Sequence, residues 1–284
     1  MDLAELAKLR EYVGRTEAKV DTITPVPATL HAATLDRDDP PYKAGDALPP
    51  GWHRLYFLSA VRPGELGEDG HTVRGKFMPP VPLPRRMFAG ARLAFHRPLA
   101  IGDEVTRVSE IMSLEGKQGR TGDLVFVTVA QRYSVGGALA LEETQDIVYR
   151  SASRGGEGGG PAEMVEPAPW QREVHPDPVM LFRYSALIFN GHRIHYDHPY
   201  VTEVEGYPGL IVHGPLIATL LLDLVRRERP GARVTGFSFR ARRPLFSPDL
   251  FTVRGWPAAD GRSVRLAAVN HEGAAAMTAE ATLA

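Results

Sequence analysis

The sequence predicts an α+β protein: an antiparallel sheet wrapped around one buried helix, with that unit present twice along the chain. Three observations lead there. Residues 216–225 are apolar on every side, open after Gly214-Pro215 and stop at Pro230-Gly231, as a buried helix does. Alternating stretches follow at 234–242, 250–256, 264–269 and 274–283, joined by turn signals such as Ala259-Asp260-Gly261. Finally, Arg97-Pro98-Leu99 with Asp103 recurs as Arg243-Pro244-Leu245 with Asp249, each copy between two strand-like stretches. Gly137-Ala138-Leu139-Ala140 is matched in the same way by Gly273-Ala274-Ala275-Ala276, so duplication is the reading that explains both pairs.

Composition supports a folded chain with a sizeable core. Of 284 residues 43% are apolar and 24% charged, which excludes a disordered protein. The net charge of -1 gives no field that would draw the chain to nucleic acid or an anionic membrane. With no cysteine, disulfides, thiolate nucleophiles and Cys-ligated metals are excluded. The start, Met1-Asp2-Leu3-Ala4-Glu5-Leu6, lacks a basic region and an apolar stretch, and a cytoplasmic location is expected. Residues 151–169, rich in Gly, Pro and Ser, read as a flexible linker between a first arm at 1–150 and a second at 170–284. Gly155 to Gly160 belong to that linker and not to a phosphate loop, since no strand precedes them and no Lys-Ser/Thr follows. In the second arm, residues 178–188 read as a short helix before the buried one. In the first arm, Pro and Gly interrupt residues 39–84 and only 52–61 suit a helix. The first arm's central helix is therefore expected to be shortened or lost, leaving a trough for a bulky ligand.

The polar residues that suit chemistry crowd into Asn190-Gly191-His192-Arg193-Ile194-His195-Tyr196-Asp197-His198. Histidine exchanges protons near neutral pH. Close behind comes Val212-His213-Gly214, where a free backbone N–H at a helix start suits a developing oxyanion. A proton-transfer group and an oxyanion donor on consecutive loops fit chemistry alpha and beta to a thioester carbonyl.

Through these residues the second arm resembles the MaoC-like (R)-specific enoyl-CoA hydratases, whose fold is the hot dog, a long helix wrapped by an antiparallel sheet. The family motif is Asp-x-Asn-Pro-(apolar)-His-x-Asp, followed by an apolar-Val/Ala-His-Gly segment. Phe77-Met78-Pro79-Pro80 and Leu83-Pro84-Arg85-Arg86-Met87-Phe88-Ala89-Gly90 resemble the N-terminal half of a narrower branch that includes mesaconyl-C4-CoA hydratases and mitochondrial-type hydroxyacyl-thioester dehydratases. The resemblance implies a double hot dog and a hydratase or dehydratase of CoA thioesters, with His195 as base and the Gly214 N–H on the thioester oxygen. It favours a short branched dicarboxylic enoyl-CoA of the mesaconyl type, with Arg85 and Arg86 as the local support. Residues 62–72 add nothing to it. One departure matters: Asn190 replaces the family's acid and His192 its Asn. His195 must therefore work with another group, His192 or, less favoured, Asp197, and a protonated His192 is expected to deliver the α-carbon proton. No metal or organic cofactor is called for.

Other readings stay open. His192, His195 and His198 fall at intervals of three, but His198-Pro199 and Gly191 indicate a loop without supporting carboxylates, which disfavours a metal site. His213 suits packing or capping as well as substrate contact. Arg226, Arg227, Arg229, Arg233, Arg240, Arg242 and Arg243 form either a solvated edge or a dock for CoA phosphates. Arg85 and Arg86 suit a substrate carboxylate or a tie between arms. The rival functions are a fatty-acyl 3-hydroxyacyl-thioester dehydratase, a thioesterase and a non-catalytic acyl-CoA binder. Two fused units can pair internally; a homodimer is left open.

Overall fold

The computed structural model describes residues 3–119, 122–151 and 162–284. Among them, ten strands form one antiparallel sheet. The part before the expected linker supplies β1 (Thr16–Thr22), β2 (Arg85–Phe95), β3 (Glu104–Gly119), β4 (Gly122–Val135) and β5 (Ala138–Arg150). The part after it supplies β6 (Trp170–Val174), β7 (Val234–Ala241), β8 (Phe251–Pro257), β9 (Ser263–Val269) and β10 (Ala275–Leu283). The spatial order is β1-β3-β4-β5-β2-β7-β10-β9-β8-β6. Matching each strand with the one five places later makes that order the same from either edge. The backbone repeats too: the His96 and Arg97 N–H groups both donate to the Ala140 carbonyl, and those of Arg242 and Arg243 both donate to Ala276. The short sequence repeat is thus a repeat of structure.

The halves join where β2 pairs with β7, Ala91 opposite Phe239 and Leu93 opposite Phe237. Gly90 sits at that seam because a Cβ there would lie 2.4 Å from the Phe239 carbonyl oxygen. The helices are α1 (Leu3–Arg10), α2 (Pro25–Thr34), α3 (Pro178–Leu187) and α4 (Gly214–Glu228). The Asp177 carboxylate accepts from the Met180 N–H and caps α3. Every residue from Leu216 to Val225 of α4 is buried, as its all-round apolar pattern requires. The helix carries one buried carboxylate, Asp223, which Arg37 (2.7 Å), Arg227 (2.6 Å) and Arg172 (3.7 Å) neutralise from three segments.

The first half has no counterpart of α4. Leu48 donates to the Leu99 carbonyl as Val212 donates to Leu245, and Ile101 donates to Asp46 as Ser247 donates to Leu210. Residues 48–51 therefore occupy the place of 212–215. From there the chain makes only a 3-10 turn, Trp52–Leu55, where a helix over 52–61 was expected. Gly51 takes a left-handed φ of 86°, and a Cβ there would fall 2.9 Å from Leu222 of α4; Phe57 turns the chain away at φ 58°. The longer strands β3–β5 instead build a second core of Leu9, Ile111, Val125, Val127, Ile147 and Tyr149 under residues 81–83.

Most of the expected linker lies outside the described residues, Gly155 to Gly160 included. Its last part is docked: Val165 donates to Gly273, and Ala275 donates to Glu163. No helix among the described residues is long and apolar enough to cross a membrane.

Candidate active site

The polar loop after α3 is shaped by its own side chains. Phe189 ends the helix at φ 48°. The Asn190 N–H donates to the Ser185 carbonyl, and its side-chain oxygen accepts from the His192 N–H at 3.1 Å. Asn190 thus serves as a local cap, a task suited to an amide. A 3-10 turn, Arg193–His195, follows and carries His195 inward.

His195 is 7% exposed. Its Nδ1–H donates to the Ile211 carbonyl at 2.7 Å, which fixes the tautomer and leaves Nε2 as an acceptor. Its ring stacks on that of His213, 3.6 Å between centroids. His213 is the residue before Gly214, and Gly214 opens α4, where the first helical N–H groups have no partner within the helix. His213 is 1% exposed and pairs through Nε2 with the Ser185 hydroxyl at 2.8 Å, so it packs behind His195 as a support. Burial holds His195 down to about 3, with His192 nearby adding to the effect. Burial and the neighbouring His71 hold His192 down to about 3 as well. Neutral imidazoles accept protons. Burial thus favours the neutral form of His192, which weighs against the expectation that a protonated His192 delivers a proton.

A cavity of about 780 Å³ opens beside this loop. Phe182, Ser185, Asn190 and Tyr196 of the second half form one wall, and His53, Arg54, Phe57, His71, Arg107 and Tyr133 of the first half form another. This is the trough expected from the lost helix. A smaller cavity of about 340 Å³ lies between Trp52 and the C-terminal part of α4. Among the described residues, His192, His195, His213 and Gly214 line neither cavity; the larger one reaches their loop at Asn190, Gly191 and Tyr196.

The remaining expected site residues divide. The Asp197 carboxylate is held by Arg193 (2.9 Å) and the Tyr200 N–H (3.1 Å), so it is not the partner of His195. Arg85 donates to the Glu205 carbonyl (2.7 Å) and the Tyr207 hydroxyl (3.3 Å) and ties β2 to the second half. Arg86, its neighbour on β2, projects from the opposite face. It lies close enough to His71 and His192 to act on their charge, and it has no hydrogen-bond or ion-pair partner among the described residues. Arg242 and Arg243 are not among the residues lining either cavity, and the Arg242 guanidinium donates to the Thr278 hydroxyl at 3.3 Å. Arg226 and Arg227 are not a free basic edge: Arg226 pairs with Asp39 at 2.7 Å and Arg227 with Asp223.

Sequence reasoning passed over two groups. Glu143 is 1% exposed and receives His53 Nε2 at 2.8 Å and Arg54, an ion-pair cluster beneath the cavity wall. The other is Asp69 and His71, joined at 3.1 Å, with the His71 ring 3.8 Å from that of His192. Asp69, His71 and His192 present ligand atoms within 4.8 Å of one another. The direct His71–Asp69 hydrogen bond already satisfies two of the three without a cation.

The fold is that of the double hot-dog proteins. The chain resembles a Mycobacterium tuberculosis protein described as having a double hot-dog fold, at 14% identity and TM-score 0.57 over 98% of both chains. A MaoC-like dehydratase from Phytophthora capsici gives TM-score 0.70 at 14% identity, covering 100% of this chain and 99% of the other. In sequence, the hydroxyacyl-thioester dehydratase type 2 family matches residues 51–247, and the chain belongs to that family. It is also 46% identical, over 281 residues and 96% of both chains, to the mesaconyl-C(4)-CoA hydratase of Chloroflexus aurantiacus. The protein is an enzyme of thioester hydration and dehydration.

Proposed function

We propose that the protein adds water across the double bond of an enoyl-CoA, and catalyses the reverse elimination, on a short branched dicarboxylic acyl group of the mesaconyl type. The observation that carries this reading is His195, its Nδ1–H given to the Ile211 carbonyl and its Nε2 left as a base beside the residue that precedes Gly214. As the water oxygen bonds to the β carbon, one water O–H breaks and its proton passes to His195 Nε2. The C=C electrons move toward the thioester, whose oxygen is held by the Gly214 N–H at the positive end of α4. Such a donor contributes about 3 kcal/mol to the transition state. The same proton then returns from His195 to the α carbon. Because the neighbouring histidines are held neutral by burial, a single imidazole taking and returning one proton is the economical scheme.

The dicarboxylic preference is supported by Arg86 and by the near full-length likeness to the Chloroflexus aurantiacus hydratase. In mesaconyl-C4-CoA the free carboxylate sits on the β carbon, next to the attacked position. A cation without a partner, close to His71 and His192, suits that charge and eases the approach of the water oxygen. We place the thioester head against the second half, 170–284, and take 1–150 to contribute acyl space.

Following enoyl absorbance and thiol release together on mesaconyl-C4-CoA, crotonyl-CoA and a medium-chain enoyl-CoA tests the proposal. The expected result is loss of the chromophore without thiol release, fastest on mesaconyl-C4-CoA. Arg86→Gln should raise KM for that substrate about tenfold or more and leave crotonyl-CoA nearly unaffected. Thiol release would indicate a thioesterase, no change at all a binding protein, and preference for the medium chain a fatty-acyl dehydratase.

A further inference from the structure

We propose that Asp69 and His71, carried on a hairpin of the first half, supply the water-holding group that Asn190 leaves out: His71 as a catalytic residue and Asp69 as the positioning residue that fixes its ring. The inference rests on the hydratase reading above.

The hairpin is short and closed on itself. Val73 donates to the Glu65 carbonyl, and Gly67 donates to His71. Its tip is seated on the loop that carries His195. The Arg193 N–H donates to the Asp69 carbonyl at 2.9 Å, and the Arg193 guanidinium donates to the Glu68 carbonyl at 3.1 Å. Gly70, at φ +82°, crosses Gly191 so closely that a Cβ would fall 1.9 Å from the Gly191 oxygen. A crossing of two glycine backbones thus holds residues 69–71 against the site.

Within the hairpin the Asp69 carboxylate is fully used by His71. One oxygen accepts the His71 backbone N–H at 2.9 Å and the other its Nδ1–H at 3.1 Å. With Nδ1 donating, Nε2 is left as an acceptor, and His71 lines the same cavity as Asn190. The ring lies 3.8 Å from that of His192 at a tilt of 37°, and His192 in turn lies 5.4 Å from His195.

The chemistry needs such a group. His195 takes one proton of the water, and the second O–H, which becomes the product hydroxyl, needs an acceptor to aim the oxygen at the β carbon. The resembled family has a carboxylate at that place. Here the Asn190 oxygen is already committed to the His192 N–H. His71 Nε2 is an acceptor on the same cavity wall, on the hairpin seated against the loop of Asn190 and His195. It accepts the retained hydroxyl hydrogen throughout and ends each turnover in its starting protonation state. Burial lowers the His71 pKa and the Asp69 hydrogen bond opposes that, so the ring stays neutral and able to accept.

The test compares variants with the wild type on the substrate the wild type hydrates best. A wild type that hydrates nothing would sink the hydratase reading instead. His71→Ala should lower kcat about 100-fold with KM within about threefold. Added imidazole should restore part of that loss, and so should Asn190→Asp in the His71→Ala background, since it returns a carboxylate to the family's position. Asp69→Asn should lower kcat about 10-fold and move the acid limb of the kcat profile to lower pH, because the carboxylate raises the His71 pKa. A purely structural hairpin would show neither rescue nor a moved limb. The proposal is overturned if His71→Ala keeps kcat within threefold of wild type, or if neither imidazole nor Asn190→Asp recovers activity in a variant that melts like the wild type. It is equally overturned if a chelator abolishes wild-type activity and a divalent metal restores it, for the three groups would then be ligands.

Discussion

Two places in this molecule are built on the same backbone plan and do different work. In the second half, Val212 hands the chain to His213 and Gly214, and a fifteen-residue helix follows. In the first half, Leu48 sits at the same point of the same hydrogen-bonded frame, yet Pro49 and Pro50 come next and the helix is one 3-10 turn. Proline at position 50 has no N–H to offer where Gly214 has one. The first half therefore has neither the donor nor the dipole of a long helix, and the volume that helix would fill has become a cavity wall. Loss of one core element thus goes with open space between the halves.

The contrast makes chemistry a property of one pole, and the largest effect is expected there. His195→Ala should lower kcat by about 10²–10⁴ while the thermal melt stays near that of the wild type, measured by hydration rate and circular dichroism. Next come the cores. Leu221, fully buried in α4, should cost about 2–5 kcal/mol as Leu221→Ala in a urea titration, and Leu55→Ala in the 3-10 turn, buried in the same core, should cost an amount in the same range. A third effect comes from histidines that are neutral only when folded. His31, His192 and His195 are each held down to about 3 by burial. The unfolded chain binds protons at these positions below about 6.5 and the folded chain does not, so stability is fully present above that pH. It should fall as pH drops from about 6.5 toward 3, by about 1.4 kcal/mol per pH unit for each group, read from melting temperatures across that range. The smallest effect is expected at Pro50→Ala, which should leave kcat within about twofold, since the short turn at 52–55 carries no group assigned to the chemistry. A tenfold loss there would mean that both poles act.

What was legible in the sequence follows the range of the interactions involved. The α4 helix, the four strands after it and the cluster from Asn190 to Gly214 are local patterns, and each was readable from spacing alone. The first half was harder because its elements are set by context. α2 and the extended β4 and β5 were not read from the sequence, and a turn that looked helical over 52–61 ends at Leu55, with Phe57 at φ 58° and its N–H held by the distant Asp21 carboxylate. The Asp69–His71 pair was invisible for a sharper reason. Its stretch holds none of the motif residues from which the family was read, and its contact with the loop of His195 crosses more than a hundred residues through two glycine backbones. The arginines show the converse. Their number was plain, but which of them are spent on ties between halves, such as Arg85, Arg226 and Arg227, depends on acids and carbonyls that only the fold brings near.

The mirrored strand order has a consequence for how such an enzyme can change. In an assembly of two identical chains, any substitution is made twice, so deleting a core helix would hollow both subunits at once and remove both sets of catalytic groups. A polypeptide that holds both copies is free of that coupling. One copy can keep the base and the oxyanion donor while the other is remodelled to frame the acyl group, and the shape it admits can drift without touching the residue that moves the proton.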